Sequence, residues 1–283
     1  ELEGVTMGWL RQWLGLPEEF FGIIYDTAST GAVHAIAAAR EMADPEARLK
    51  GGARGLVLYA SDQAHSSVEK GAIAVGIGRE NVRKIGSDAE FRLKPDLLRR
   101  AIESDLQAGL KPLCVVATVG TTSSASVDPV AETAAVAEKF GLWLHIDAAY
   151  AGPAAILPER RWILEGAERA HSFVLNPHKW LLTSADLSAF YTRRPDILRR
   201  AFTLVPEYLR TGQDAVATNL MDYSLAMGRR FRSLKLWFVL RYYGRDGVME
   251  MLRRHIAFGQ RLAGAVDADP RFERVAPVHF GLV

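Results

Sequence analysis

The chain has 283 residues, with 35 Lys or Arg against 33 Asp or Glu, a formal charge of +2. That balance excludes the broad basic field a nucleic-acid binder needs, and no apolar run is long enough to span a membrane. Hydrophobic residues make up 49% of the chain, enough for a large core, and the single cysteine, Cys114, permits no intrachain disulfide and suits a reducing cytoplasm.

The middle of the chain alternates β-rich runs with amphipathic stretches. In order, the pattern predicts strand 22–25, helix 31–42, strand 56–60, helix 66–75, strand 82–85 and helix 94–108. Strand 113–118, helix 130–139, and strands 142–147, 172–175 and 189–192 follow. Runs 113–118 and 142–147 are almost continuously apolar, as a sheet buried on both faces requires. The expected fold class is α/β, a mostly parallel seven-stranded sheet covered by helices. A short helix is expected at 197–202. Residues 204–221 then show no period and contain Pro206 and Gly212, a length at which connectors are commonly functional. Two helices, 233–243 and 247–266, come next, and 272–283 returns to strand character. The chain begins at Glu1 without an initiator Met and stops inside that strand-like run, so it reads as a piece lacking both termini.

Ligands of an open parallel sheet gather at the carboxyl ends of its strands. Five features fall there. Thr27-Ala28-Ser29-Thr30-Gly31 opens a helix, either as an anion site or as a plain N-cap. His65 follows a strand, where a flat imidazole either stacks on a planar ligand or is merely structural. Gly120-Thr121-Thr122-Ser123 offers hydroxyls, or a polar turn. Asp147, in His145-Ile146-Asp147-Ala148-Ala149, ends a buried strand and needs a cationic partner or a helix to cap. His145 and Asp147 share one face of that strand, so with His65 and His178 they also suggest a divalent-metal site. That alternative leaves unexplained Lys179, which lies between His178 and Trp180 after an apolar strand. Burial against aromatics favours a neutral, nucleophilic amine, whereas a snorkelling surface lysine is the plainer alternative. Taken together, an anion loop, a stacking His, an Asp and a Lys in chain order form a site for pyridoxal 5'-phosphate. Asp147 would then meet the ring nitrogen and Lys179 the aldehyde, and no metal is assigned.

Five stretches carry a family resemblance: Ser61–Glu69 (SDQAHSSVE), Val116–Thr122 (VATVGTT), Leu144–Gly152 (LHIDAAYAG), Asn176–Leu182 (NPHKWLL) and Gly228–Val239 (GRRFRSLKLWFV). With these the chain resembles the group II pyridoxal-phosphate-dependent decarboxylases, on the aromatic-L-amino-acid branch. The resemblance implies the type I, aspartate aminotransferase-like large domain over residues 1–283, with a mobile catalytic loop at about 204–221. It also implies an N-terminal segment and a C-terminal small domain beyond this chain, and a homodimer whose active sites are completed across the interface. It carries over Lys179, Asp147 and His65 as catalytic, with Tyr208 as the loop tyrosine that returns a proton to the substrate. Ala28, Ser29, Asn176 and His178 would surround the phosphate, and Thr122 and Ala149 would touch the ring. Thr30 departs from the acidic residue many relatives carry.

The activity implied is decarboxylation of an aromatic L-amino acid to the amine and CO2. An aldehyde synthase of the same family is the nearest alternative, but such enzymes tend to replace the loop tyrosine or the stacking histidine, and Tyr208 and His65 are both present. A metal-dependent hydrolase using His145 and Asp147, or a catalytically dead dimerising relative, would be a different class of protein. The dead relative would have lost Lys179, Asp147 or His65, and none is lost. Gly281 lies where the family's aromatic pocket varies between glycine and serine, and glycine leans toward indole substrates.

Overall fold

In a computed structural model of the chain, which describes residues 1–204 and 218–283, all seven expected strands form one sheet. They are β1 (Phe21–Tyr25), β2 (Leu56–Ser61), β3 (Val82–Ile85), β4 (Lys111–Thr118), β5 (Trp143–Asp147), β6 (Ser172–Leu175) and β7 (Ser188–Thr192). Their spatial order is β1-β7-β6-β5-β4-β2-β3. The central strands from β3 to β6 pair in parallel, and β7 runs antiparallel to both β6 and β1.

The apolar runs explain the layering. Along β4, Val115 and Ala117 enter one core while Cys114 and Val116 enter the other, the period of two that a doubly covered sheet demands. One face packs against α1 (Leu2–Leu14), α5 (Pro95–Gln107), α6 (Val130–Lys139) and α9 (Ser233–Ala268), through Leu10, Leu98, Ala134 and Leu236. The other packs against α2 (Ala28–Ala43), α4 (Ser67–Ala74) and α8 (Pro195–Phe202), through Ile36, Val68 and Leu198. The short helices α3 (Glu46–Lys50) and α7 (Pro177–Trp180) complete the described α-helices. No described helix is long and apolar enough to cross a membrane.

Two sequence expectations change. Helix α1 is absent from the predicted elements, although it buries the stripe Thr6, Met7, Leu10 and Leu14; its N-cap, Glu1, makes no side-chain cap bond that would mark the start. The two predicted C-terminal helices are borne out: α9 is two helices joined at a kink at Gly244, whose φ is 62°. Residues 272–283 form no strand. Instead Gln260 Nε2 donates to the Val278 carbonyl at 2.8 Å, and the backbone at 280–281 lies directly on Gly259 of α9. A Cβ at Gly259 would sit 2.4 Å from the Phe280 carbonyl oxygen. The alternation in this segment serves packing against a helix, with Phe280 fully buried.

Candidate active site

At the carboxyl ends of β4, β5 and β6, backbone hydrogen bonds hold three loops in register. Val119 N donates to the Asp147 carbonyl at 2.8 Å, Ala148 N to Val174 at 2.9 Å, and Asn176 N to Ala149 at 3.1 Å. The turn after β4 requires Gly120. Its φ is 88°, and a Cβ there would lie 2.5 Å from that of Ala151. These constraints bring the loops to one cavity of about 490 Å3. Every described residue assigned a role from sequence lines it: Lys179, Asp147 and His65, with Ala28, Ser29, Thr122, Ala149, Asn176 and His178. Tyr208 lies outside the described residues.

The amino end of α2 forms one wall. Thr27 is its N-cap, with extended backbone, and its Oγ1 accepts from Thr30 N at 3.3 Å. Ala28 and Ser29 follow in the first turn, where backbone N–H groups have no carbonyl within the helix and the helix dipole favours an anion. Asn176 closes this end. It is buried, and its Oδ1 has no partner among the described residues. His178 faces the same wall; its Nδ1 accepts from Leu187 N at 3.0 Å. In the neutral ring that leaves Nε2 as the donor. Burial holds this imidazole below its usual pKa, with the neighbouring Lys179 and Lys235 charges adding to the effect.

His65 stands exposed at the mouth, its Nδ1 accepting from Ser67 N at 3.2 Å and lying 2.9 Å from Ser67 Oγ. Asp147 lies at the floor, 6% exposed, and its Oδ1 accepts from Ala149 N at 3.1 Å. Lys179 corrects one expectation: it is exposed to the cavity and is not buried against its aromatic neighbour. The reason is that Trp180 faces away. Its indole stacks on Tyr150 at 5.2 Å, packs edge-on to Phe280 and donates to His255 Nδ1 at 3.1 Å.

The alternative metal set has no counterpart among the described residues. His145 is fully buried under α2 with Nδ1 bonded to Ser172, and no group of three His, Cys, Asp or Glu side chains among the described residues is placed to hold a metal ion. Sequence reasoning missed Tyr150, Ser67 and Thr118 as cavity residues. All three sit inside or beside the motifs already singled out, so proximity to those motifs was the available signal. Gly281, singled out for substrate choice, does line the cavity, near the Tyr150 hydroxyl.

The residues present fit pyridoxal phosphate. The helix amino end and the His178 donor suit a phosphate, the small side chains of Ala28 and Ala149 leave room for a flat ring, and Asp147 and Lys179 supply a carboxylate and an amine.

The chain is similar over its whole length to known proteins. The pyridoxal-dependent decarboxylase conserved domain matches residues 1–283. The chain is 45% identical to an aromatic-L-amino-acid decarboxylase of Bos taurus, covering 100% of this chain and 61% of that protein. It is 40% identical to a phenylacetaldehyde synthase of Arabidopsis thaliana, covering 100% and 60% respectively. A crystal structure of Oryza sativa TDC with PLP and tryptamine superposes with a TM-score of 0.94 at 40% identity, covering 99% of this chain and 60% of that one. The chain thus spans about three fifths of the length of these relatives.

Proposed function

Because the chain belongs to the pyridoxal-dependent decarboxylase family, we propose that it acts in the decarboxylation of aromatic L-amino acids to the amine and CO2. The observation that carries this reading is the convergence of Lys179, Asp147, His65 and the amino end of α2 on one cavity. Bound pyridoxal phosphate supplies an aldehyde that condenses with amines and a ring that takes up electrons from a breaking bond.

The chain's own residues have the following parts. Lys179 would offer its Nζ to the cofactor aldehyde and give way to the substrate amine. Ala28 N–H, Ser29 N–H and His178 Nε2–H would hold the phosphate. The Asp147 carboxylate would pair with the ring nitrogen and favour its protonated form. His65 and Ala149 would flank the cofactor, and His65 with Thr122 would orient the substrate carboxylate. Tyr208, from the loop at about 204–221, delivers a proton to Cα, directly or through His65. Two copies would complete each site across a dimer interface. Gly281 leaves space for an indole, in keeping with tryptamine in the rice structure.

A second reading has support in the phenylacetaldehyde synthase relative. Retention of Tyr208 and His65 favours the amine product. Incubation with a panel of aromatic amino acids separates the two. The proposal expects one equivalent of CO2 per amine and no peroxide; aldehyde with peroxide would refute it.

A further inference from the structure

One stretch that carries the family resemblance, Gly228–Val239, contributes no residue to the lining of the cavity. Its basic side chains reach the loop between α7 and β7 instead. Arg232, the N-cap residue of α9, donates from Nη2 to Asp186 Oδ2 at 2.7 Å. Lys235, in the first turn of that helix, donates from Nζ to the Ser184 carbonyl at 2.9 Å and lies 3.7 Å from Asp186 Oδ1. Arg230 adds a positive charge 3.8 Å from the same carboxylate. The bond from Arg232, with the neighbouring positive charges, holds the Asp186 carboxyl well below the usual carboxylate range. In return, Asp186 is the one side-chain partner of the Arg232 guanidinium among the described residues.

The same loop sets the state of His178. Leu187, next to Asp186 and fully buried, gives its N–H to His178 Nδ1 at 3.0 Å. A backbone N–H only donates, so Nδ1 carries no proton and the ring hydrogen sits on Nε2. His178 lines the cavity. At the near end of the loop Thr183 N donates to the Pro177 carbonyl at 3.3 Å, and at the far end Leu187 is anchored in the core. Between them, among the described residues, the loop is tied down by Arg230, Arg232 and Lys235.

We infer that Asp186 is a positioning residue: its ion pairs with Arg232 and Lys235 clamp the loop at 184–187, so that Leu187 N–H holds His178 with its Nε2–H available to the cofactor phosphate. This rests on the function proposed above, in which His178 meets that phosphate. It gives Arg232 and Lys235 a part although neither lines the cavity.

The test has two arms. In the first, apo protein is titrated with pyridoxal phosphate and, separately, with pyridoxal, which lacks the phosphate; binding is read by quenching of intrinsic fluorescence. Asp186→Ala should weaken pyridoxal phosphate by about tenfold and leave pyridoxal within about twofold of wild type. Arg232→Met removes the pair from the other side and should do the same. Arg232→Lys keeps the charge of a singly bonded donor and should stay within about threefold of wild type. A purely structural role would weaken both ligands alike, and that outcome overturns the inference. Unchanged affinity for pyridoxal phosphate in either removal variant overturns it too, as does failure of both to fold, which would make the pair a brace of the fold. The second arm is nitrogen-15 NMR of the imidazoles at neutral pH. Wild-type His178 should be bare on Nδ1 and protonated on Nε2; a proton on Nδ1 overturns the inference. A wild type that binds pyridoxal phosphate no more tightly than pyridoxal refutes the functional reading instead. The NMR comparison then decides: loss of the single His178 tautomer in Asp186→Ala supports the clamp, and an unchanged tautomer overturns it.

Discussion

The cleft at the ends of β4 to β6 and the surface of α9 are built on opposite terms. In the cleft, backbone bonds fix the loops while polar side chains stay unsatisfied: Asn176 Oδ1, His145 Nε2 and Thr118 Oγ1 have no partners among the described residues. On α9 the inner stripe of Leu236, Leu240, Val248 and Leu252 is buried, while Phe238, Tyr242, Phe258 and Leu262 on the same helix are exposed. The first region keeps buried polar groups in and behind a cavity; the second leaves apolar area in water. The lesson is that stability and chemistry are separable here, and substitutions should divide along that line.

The largest effect belongs to the cleft. Asp147→Ala should lower turnover by a factor of about a thousand through loss of charge stabilisation, with the melting temperature little changed. A large loss of melting temperature would mean the carboxylate braces the fold. Phe280→Ala should do the reverse. It empties a fully buried aromatic site beneath α9, at a cost of about 3–5 kcal/mol by denaturant unfolding. Gly259→Ala presses a Cβ against the Phe280 carbonyl. It should cost about 1–3 kcal/mol and, by shifting Gly281, change discrimination between indole and phenol substrates.

Acid should weaken the fold and not only the chemistry. Burial holds the imidazoles of His34, His145 and His171 down to about 4. Each folded-state value lies below the ordinary 6.5, so the stabilisation is complete above that pH. It falls away as pH drops from about 6.5 toward 4, because the unfolded chain takes up protons first. Asp128 opposes this: burial raises its carboxyl to about 6 despite bonds from Leu93 N and Thr118 N. It contributes the reverse slope between about 4 and 6, a single group against several lowered imidazoles. Melting temperature should therefore fall on acidification from pH 7 to 5; a rise would mean Asp128 dominates. The smallest effect is expected on the open face of α9, where Phe258→Ser should alter folding stability by no more than about 0.5 kcal/mol.

Much of the cleft was legible in the sequence because its parts are local. Continuous apolar runs betray strands covered on both faces, and each ends in a polar residue that must face the ligand edge, as with Thr118 and Asp147. Thr27 announced α2 by its capping chemistry. What escaped depends on distant partners. The exposure of Lys179 follows from Trp180 reaching His255, 75 residues away. The irregular course of 272–283 follows from a glycine on α9, and the bond of His145 to Ser172 from a register that pairs them across β5 and β6. None of those pairings leaves a trace in the local pattern.

The central claim is that Lys179 holds the cofactor, and the absorbance spectrum after addition of pyridoxal phosphate tests it most directly. Wild-type protein should develop a band at about 420 nm that survives gel filtration, and Lys179→Ala should not. A band of equal strength in the Lys179→Ala protein would contradict the account.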